Sequence, residues 1–313
     1  MGCERMKLPV IDLRNLKEDS ATWESRKIEI REALQEYGCF EGRFDGIPIH
    51  LQRSILDGIK ELFDLPLEIK MRNKGKIRSE GYIPQCAVSP LYQSFGIDDP
   101  LSPHKLHTFV NRLWSQGNPT FSKNIVSFSE ELSEMDKLIR RMVVESLGLE
   151  KYMKEHLDST YYVARVQKYD APRSHEAELG VRSHSDKNII TILYPLNQVP
   201  GFEFFTKDGE WIPVQPSLNS YIVMAGESLS AWTNGRLHPP QHRVMMTGEE
   251  DRYTIALFSN PKAGYMIKAP EEMVDEEHPL LYMPFDYKRY LQFYFSQAGQ
   301  TSPDALKEFC GAP

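Results

Sequence analysis

The chain has 313 residues, 41% of them hydrophobic, and a formal net charge of −7. That length holds one large domain or two small ones with a full core, and the composition excludes a disordered chain. The acidic balance speaks against a general nucleic-acid binder, and no apolar run approaches the ~20 residues that span a membrane.

The N-terminal segment, MGCERMKLPVIDL, lacks a signal-peptide apolar core. Gly2 and Cys3 invite acylation, but Met6 stands where Ser or Thr is wanted. Cys3, Cys39, Cys86 and Cys310 form no C-x-x-C pair, which excludes a zinc ribbon or redox motif and fits a reducing compartment. A cytoplasmic protein is expected, acting as a monomer with no nucleic-acid or membrane partner.

Leu8 to Leu13 predicts a short strand, with Pro9 at its first position or on an edge. Ser25 to Tyr37 has helical spacing through Ile28, Ile30, Ala33 and Leu34, and Gly38 is its C-cap. Cys39-Phe40 begins another extended piece. Pro48 to Leu65 predicts a second amphipathic helix, ended by Pro66, which disfavours helix at the residue before it. Arg78 to Pro103 is rich in Gly and Pro and reads as a functional or mobile loop. Phe121 to Leu147 predicts a long helix closed by Gly148.

Beyond about Thr160 the texture changes to short strand-like runs: 161–169, 188–194, 202–205, 211–214, 220–224, 242–246 and 252–258. Lys207-Asp208-Gly209-Glu210 is a hairpin turn signal between two of them. Many short strands in succession predict a sandwich or jelly roll. Residues 286–297 and 303–309 return to helix. The expected architecture is a single domain over 1–313, with a helical N-terminal region at 7–150, a β core at 160–262 and a helical tail at 263–313.

The chemistry concentrates in Ser183-His184-Ser185-Asp186, directly before the apolar run Ile189 to Leu193. Residues two apart on a strand share a face, so His184 and Asp186 can aim an imidazole and a carboxylate at one point. His242, opening a later strand-like run, is the candidate third ligand. Two His and one carboxylate make the facial triad of non-haem Fe(II) oxygenases, which leaves three positions for a bidentate 2-oxo acid and O2. Arg252 and Thr254 share a strand face further on. A guanidinium fork beside a hydroxyl suits the far carboxylate of 2-oxoglutarate.

Plainer readings apply to the neighbouring residues. Pro239 and Pro240 keep His238 and His242 from being a helical zinc pair, so His238 is a loop residue. His104 and His175 are expected at the surface or in loops. Arg243 faces away from His242 and is structural, and Arg236 is a turn or ion-pair residue. Phe258 is a core aromatic that also borders the pocket.

With these residues in register, the chain resembles plant 2-oxoglutarate/Fe(II)-dependent dioxygenases. The matching pieces are LPVIDL (8–13), EYGCF (36–40), LPLEIK (65–70), LGVRSHSD (179–186), DGEWIPV (208–214), GESLSAWTNGRLHPPQHRV (226–244) and RYTIALFSNP (252–261). SHSDKN, AWTNGRLHPPQHRV and VDEEHPLL look most like the AOP-like clade. Members of that clade produce alkenyl and hydroxyalkyl glucosinolates, and its relatives include a lignan ring-closing synthase and steroidal glycoalkaloid hydroxylases.

The resemblance implies a mainly β core with flanking α, a double-stranded β-helix preceded by N-terminal helices and closed by C-terminal ones. It implies His184, Asp186 and His242 as Fe(II) ligands, Arg252 and Thr254 on the distal carboxylate of 2-oxoglutarate, and Tyr169 beside the cosubstrate. Gln167 departs from the Asn that the family carries two residues before that Tyr. Phe258 and Tyr82 are implied to line the substrate pocket. The activity implied is oxidation of a small plant specialised metabolite by O2, with release of succinate and CO2 and with ascorbate in support. The outcome could be hydroxylation, desaturation, dealkylation or ring closure.

The pocket is expected from residues 78–110, 226–236 and the C-terminal helices. The low charge of Tyr82 to Val88 points to an aromatic or terpenoid-like ligand. An auxin-type acid would want a second Arg or Lys near the metal, and none is placed by sequence. Two rival classes stand beside this one. A zinc hydrolase would not need Arg252 or O2, and a non-catalytic binding protein on the same scaffold would form no succinate.

Overall fold

The computed structural model describes residues 7–18, 20–44, 47–75, 80–174, 176–215 and 217–313. Gly2, Cys3, His175 and the first residues of the expected loop at 78–103 lie outside the described residues.

The N-terminal half is built around buried helix faces. Strand β1 (Val10–Asp12) leads to helix α1 (Ala21–Glu36), where the Ser20 side chain caps the Trp23 amide and Trp23, Ile30, Ala33 and Leu34 are buried. Gly38 ends the helix at φ +71°, and a Cβ there would lie 2.3 Å from the His238 carbonyl oxygen. Next come β2 (Cys39–Arg43), α2 (Ile49–Asp64) and the short α3 (Leu67–Lys70). The longest helix, α5 (Pro119–Ser146), follows α4 (Pro103–Leu113) and is capped by Asn118, with Pro119 in its first turn. Its Phe121, Ile125, Phe128, Leu132, Met135 and Ile139 face the same core as α1 and α2.

Residues 80–103 are not all loop. Strands β3 (Tyr82–Ile83) and β4 (Tyr92–Asp98) form a hairpin there. The alternation of buried Phe95 and Ile97 is hidden in sequence by Gly96 and by prolines at both ends. The region expected to be helical therefore also gives four strands to the main sheet.

After α6 (Met153–Asp158), the strands run β5 (Thr160–Tyr169), β6 (Glu178–His184), β7 (Ile190–Pro195), β8 (Phe202–Phe205), β9 (Trp211–Pro213) and β10 (Ser220–Ala225). Helix α7 (Glu227–Trp232) precedes β11 (His242–Met246) and β12 (Arg252–Pro261). The chain closes with the pair β13 (Met266–Ile267) and β14 (Phe285–Asp286), then α8 (Tyr287–Tyr294), α9 (Gln297–Thr301) and α10 (Ala305–Cys310).

The main sheet has the order β1-β2-β10-β7-β12-β5-β4-β3, and a smaller sheet the order β6-β11-β8-β9. Every strand contact in the two sheets is antiparallel except β1 with β2. This is the strand-rich jelly-roll core that the sequence predicts. One face of the main sheet packs on the helices. The other faces the small sheet across Leu193, Ile222, Met224 and Ala256 on one side and Phe202, Phe204 and Ile212 on the other. Among the described residues no helix is long and apolar enough to cross a membrane.

His156 on α6 links packing to pH. Its ring lies 4.3 Å from that of Trp232 on α7, it is buried, and its Nε2 has no partner among the described residues. Burial, with the Arg140 guanidinium nearby, lowers its pKa well below 6.5. The unfolded chain then binds a proton that the native chain refuses, so stability falls as pH drops below the unfolded-state value. The expected slope is up to ~1.4 kcal/mol per pH unit below about 6.5. Denaturant unfolding of wild type and His156→Phe from about pH 7.5 to about pH 5.5 checks this. The variant should lose that part of the slope, and parallel curves would refute it.

Candidate functional site

Three side chains converge on the small sheet and the turn beside it. Candidate ligand atoms of His184, Asp186 and His242 all lie within 4.8 Å of one another. His184 ends β6 and is paired across the ladder with His242, the first residue of β11. Their rings are 4.3 Å apart. Asp186 is not on the strand: β6 stops at His184, and the turn into β7 brings the Asp186 Oδ1 to 3.9 Å from His184 Nε2.

Backbone carbonyls fix the faces of both imidazoles. His184 Nδ1 lies 2.8 Å from the Arg182 carbonyl oxygen and His242 Nδ1 lies 3.3 Å from that of Pro240. A carbonyl can only accept, so Nδ1 carries a proton on each ring, which leaves Nε2 as the nitrogen available to ligate. Burial, and then the neighbouring His242, pulls the His184 pKa down to about 4, which keeps that ring neutral and able to ligate.

The carboxylate is held from behind. Thr191 Oγ1 on β7 donates to Asp186 Oδ2 at 2.6 Å, which leaves Oδ1 for the cluster. Asn188 braces the same turn, its Nδ2 donating to the Ile190 carbonyl at 2.6 Å. The Glu227 amide donates to the Asp186 carbonyl at 2.8 Å. Gly226 permits this approach, because a Cβ there would sit 2.0 Å from the Asn188 carbonyl oxygen. Lys187 Nζ reaches Glu227 Oε1 at 2.6 Å, and Tyr290 of α8 donates to the other oxygen of Glu227. Helix α8 is thereby tied to the turn that carries Asp186. Sequence inspection missed Thr191, Asn188 and Glu227. Thr191 in particular reads as ordinary β-branched strand filler.

A second group lies on the inner face of the main sheet. Arg252 faces Tyr169 across the ladder and Thr254 faces Gln167. Arg252 is 2% exposed, and its Nε and Nη1 have no hydrogen-bond partner among the described residues. Its guanidinium carbon is 5.2 Å from the Tyr169 ring centroid. Burial pushes the Tyr169 pKa up, so the hydroxyl stays protonated. A buried guanidinium with two idle donors is costly unless something anionic meets it. A dicarboxylate such as 2-oxoglutarate meets that need, and two imidazoles with a carboxylate suit Fe(II).

Phe258 lies four residues along the same face from Thr254, opposite Thr191 on β7 and against the apolar cluster between the sheets. Tyr82 does not join this group. It pairs with Phe95, whose ring is 4.6 Å away, and donates to Gln93 Oε1 at 2.9 Å. Directly opposed residues of a hairpin share a face, and Phe95 faces the helix-side core. The hairpin register thus places Tyr82 on the helix side, apart from Arg252, Thr254 and Phe258. The plainer readings also find their places. His238 sits in a loop with its amide on the Leu34 carbonyl, and His104 is exposed on α4. Arg243 pairs with Glu203 at 2.7 Å and covers the Trp211 ring, and Arg236 donates to the Met273 carbonyl at 2.6 Å.

Residues 159–261 match the 2OG-Fe(II) oxygenase superfamily, and residues 8–93 match the non-haem dioxygenase in morphine synthesis N-terminal family. The chain is 47% identical to "Probable 2-oxoglutarate-dependent dioxygenase AOP1.2" of Arabidopsis thaliana, over 96% of this chain and 95% of that one. A rice dioxygenase for auxin oxidation superposes with a TM-score of 0.83 at 30% identity, covering 98% of this chain and 100% of that one. JOX2, solved in complex with 2OG, Fe and JA, gives a TM-score of 0.81 at 27% identity over 98% and 89% of the two chains.

Proposed function

Because the chain belongs to the 2-oxoglutarate- and Fe(II)-dependent oxygenases, we propose that His184, Asp186 and His242 hold its iron and that Arg252, Thr254 and Tyr169 hold the distal carboxylate of its 2-oxoglutarate. The observation that carries this reading is the buried Arg252 guanidinium with two unpartnered nitrogens, in a core that also holds three convergent ligand side chains. Iron and 2-oxoglutarate, once bound with O2, supply the oxidation and leave succinate and CO2.

The protein's own side chains prepare that chemistry. The two backbone carbonyls hold the imidazoles in the ligating tautomer. Thr191 occupies one carboxylate oxygen so that Asp186 presents the other. Arg252 fixes the far end of the cosubstrate, and Phe258 with the inter-sheet apolar cluster keeps water from the reacting face. Thr191→Val should weaken Fe(II) binding by about 10- to 100-fold, the usual cost of losing an outer-shell partner. Competition against a metal chelator measures this, and an unchanged affinity would remove Thr191 from the metal site.

The substrate in this reading is a small plant specialised metabolite, and the whole chain, 1–313, works as one catalytic domain. The protein acts as a monomer in the cytoplasm, in keeping with its free Cys39, Cys86 and Cys310 and its net charge of −7. A plant extract incubated with enzyme, Fe(II), ascorbate and 2-oxoglutarate should show one consumed metabolite and an equal amount of succinate. Succinate formation that no added extract stimulates would count against it.

A second reading is oxidation of an auxin-type acid. Its support is the likeness to the rice auxin-oxidation enzyme, together with Arg165, a buried cation on the inner face of β5 whose Nη1 donates to Ser94 at 2.7 Å. Turnover of indole-3-acetic acid but not of its methyl ester would favour it, and equal turnover of both would dismiss it.

A further inference from the structure

Gln167 stands behind the residue that we read as a carboxylate clamp. On the inner face of the main sheet it is opposite Thr254 on β12 and Ser94 on β4. Thr254 is fully buried, and its Oγ1 donates to Gln167 Oε1 at 2.7 Å. Gln167 Nε2 lies 3.4 Å from the Tyr92 hydroxyl. In this arrangement the single hydroxyl proton of Thr254 is spent on Gln167. What Thr254 then offers an incoming carboxylate is a lone pair, and two acceptors repel. The amide carries the remedy. Turned end over end, Gln167 donates through Nε2 to Thr254 Oγ1 and accepts from the Tyr92 hydroxyl through Oε1. The Thr254 proton is then free to point at the carboxylate beside Arg252. In both settings the Thr254 hydroxyl, the Gln167 amide and the Tyr92 hydroxyl each keep a hydrogen bond to a neighbour in the chain.

We propose that Gln167 is a positioning residue that turns its amide as the cosubstrate binds, so that Tyr92, Gln167 and Thr254 form one directed hydrogen-bond relay ending on the distal carboxylate of 2-oxoglutarate. The proposal rests on the reading of Arg252 and Thr254 as the carboxylate clamp. The relay assigns a donor role, not only bulk, to Gln167: the side chain must both accept and donate.

The test is calorimetric titration of 2-oxoglutarate into Mn(II)-loaded protein without O2, which reads affinity without turnover. Gln167→Leu should weaken binding about 5- to 10-fold, the worth of one hydrogen bond. Thr254→Val should weaken it similarly, and the double variant should be little worse than either single one, because the two residues act in series. Gln167→Glu keeps the shape but can only accept, so it should bind at least as weakly as Gln167→Leu. Mn(II) affinity and melting temperature should stay near wild type in Gln167→Glu, which a general packing defect would not allow. Losses that multiply in the double variant, or wild-type affinity in Gln167→Glu, would overturn the relay. Arg252→Leu separates the two layers: if it binds 2-oxoglutarate as well as wild type, the clamp reading fails and the relay fails with it. If Arg252→Leu is weak while both Gln167 variants are normal, only the relay is lost.

Discussion

Asp186→Ala is expected to lose turnover by roughly 10³-fold or more, the scale set by the several kcal/mol that a bound metal contributes to a transition state. The two imidazoles would remain in place, held by the Arg182 and Pro240 carbonyls, but two neutral ligands bind Fe(II) poorly without the carboxylate. The fold should survive. Asp186 sits in a turn, its carbonyl still accepts from Glu227, and the Thr191 hydroxyl that loses its acceptor has Asn188 Oδ1 at 3.3 Å as another. Succinate formation measured beside thermal unfolding separates the two effects. Full activity in the variant would mean that another carboxylate holds the metal.

Arg252→Leu should raise the apparent KM for 2-oxoglutarate by about two to three orders of magnitude, from the ~2–5 kcal/mol that losing a buried charge partner costs. The stability of the ligand-free protein should move little or rise. The guanidinium is buried with two idle nitrogens, and removing such a group relieves desolvation. Saturating 2-oxoglutarate with Mn(II) should raise the melting temperature of wild type but leave that of the variant nearly unchanged. A zinc hydrolase on this scaffold would show neither effect. A variant that is strongly destabilised without ligand yet binds 2-oxoglutarate normally would make Arg252 a packing residue instead.

Much of the core was legible in sequence because strand length and turn chemistry are local. The runs at 202–205 and 242–246 predict β8 and β11 to the residue, and Gly209 takes the positive φ that its hairpin signal requires. Strand alternation accounts for the geometry of His184 and Asp186 only in part. Alternation along a strand predicts a shared face, but β6 ends at His184, and a turn braced by Asn188, Gly226 and Glu227 does the aiming. Turn geometry depends on partners far along the chain, which no local pattern displays.

The misses have the same origin. β4 is punctuated by Gly and Pro and so reads as loop, although its pairing with β5 over seven residues holds it extended. The neighbourhood of Tyr82 in sequence predicts a pocket position, whereas the register of its hairpin puts it with Phe95 and Lys70 on the helix side. Thr191 and Gln167 carry no motif of their own. Their significance lies in which oxygen each one meets, 2.6 Å to Asp186 and 2.7 Å to Thr254.

The central claim is that one site in this protein holds both an Fe(II) on His184, Asp186 and His242 and a 2-oxoglutarate reaching to Arg252. Anaerobic addition of Fe(II) and then 2-oxoglutarate tests it directly. Wild type should develop a weak visible charge-transfer band from the 2-oxo acid chelated to ligated iron, and at the same concentrations Asp186→Ala and Arg252→Leu should not. Iron-loaded wild type that shows no band, or a band of full strength in both variants, would contradict the assignment.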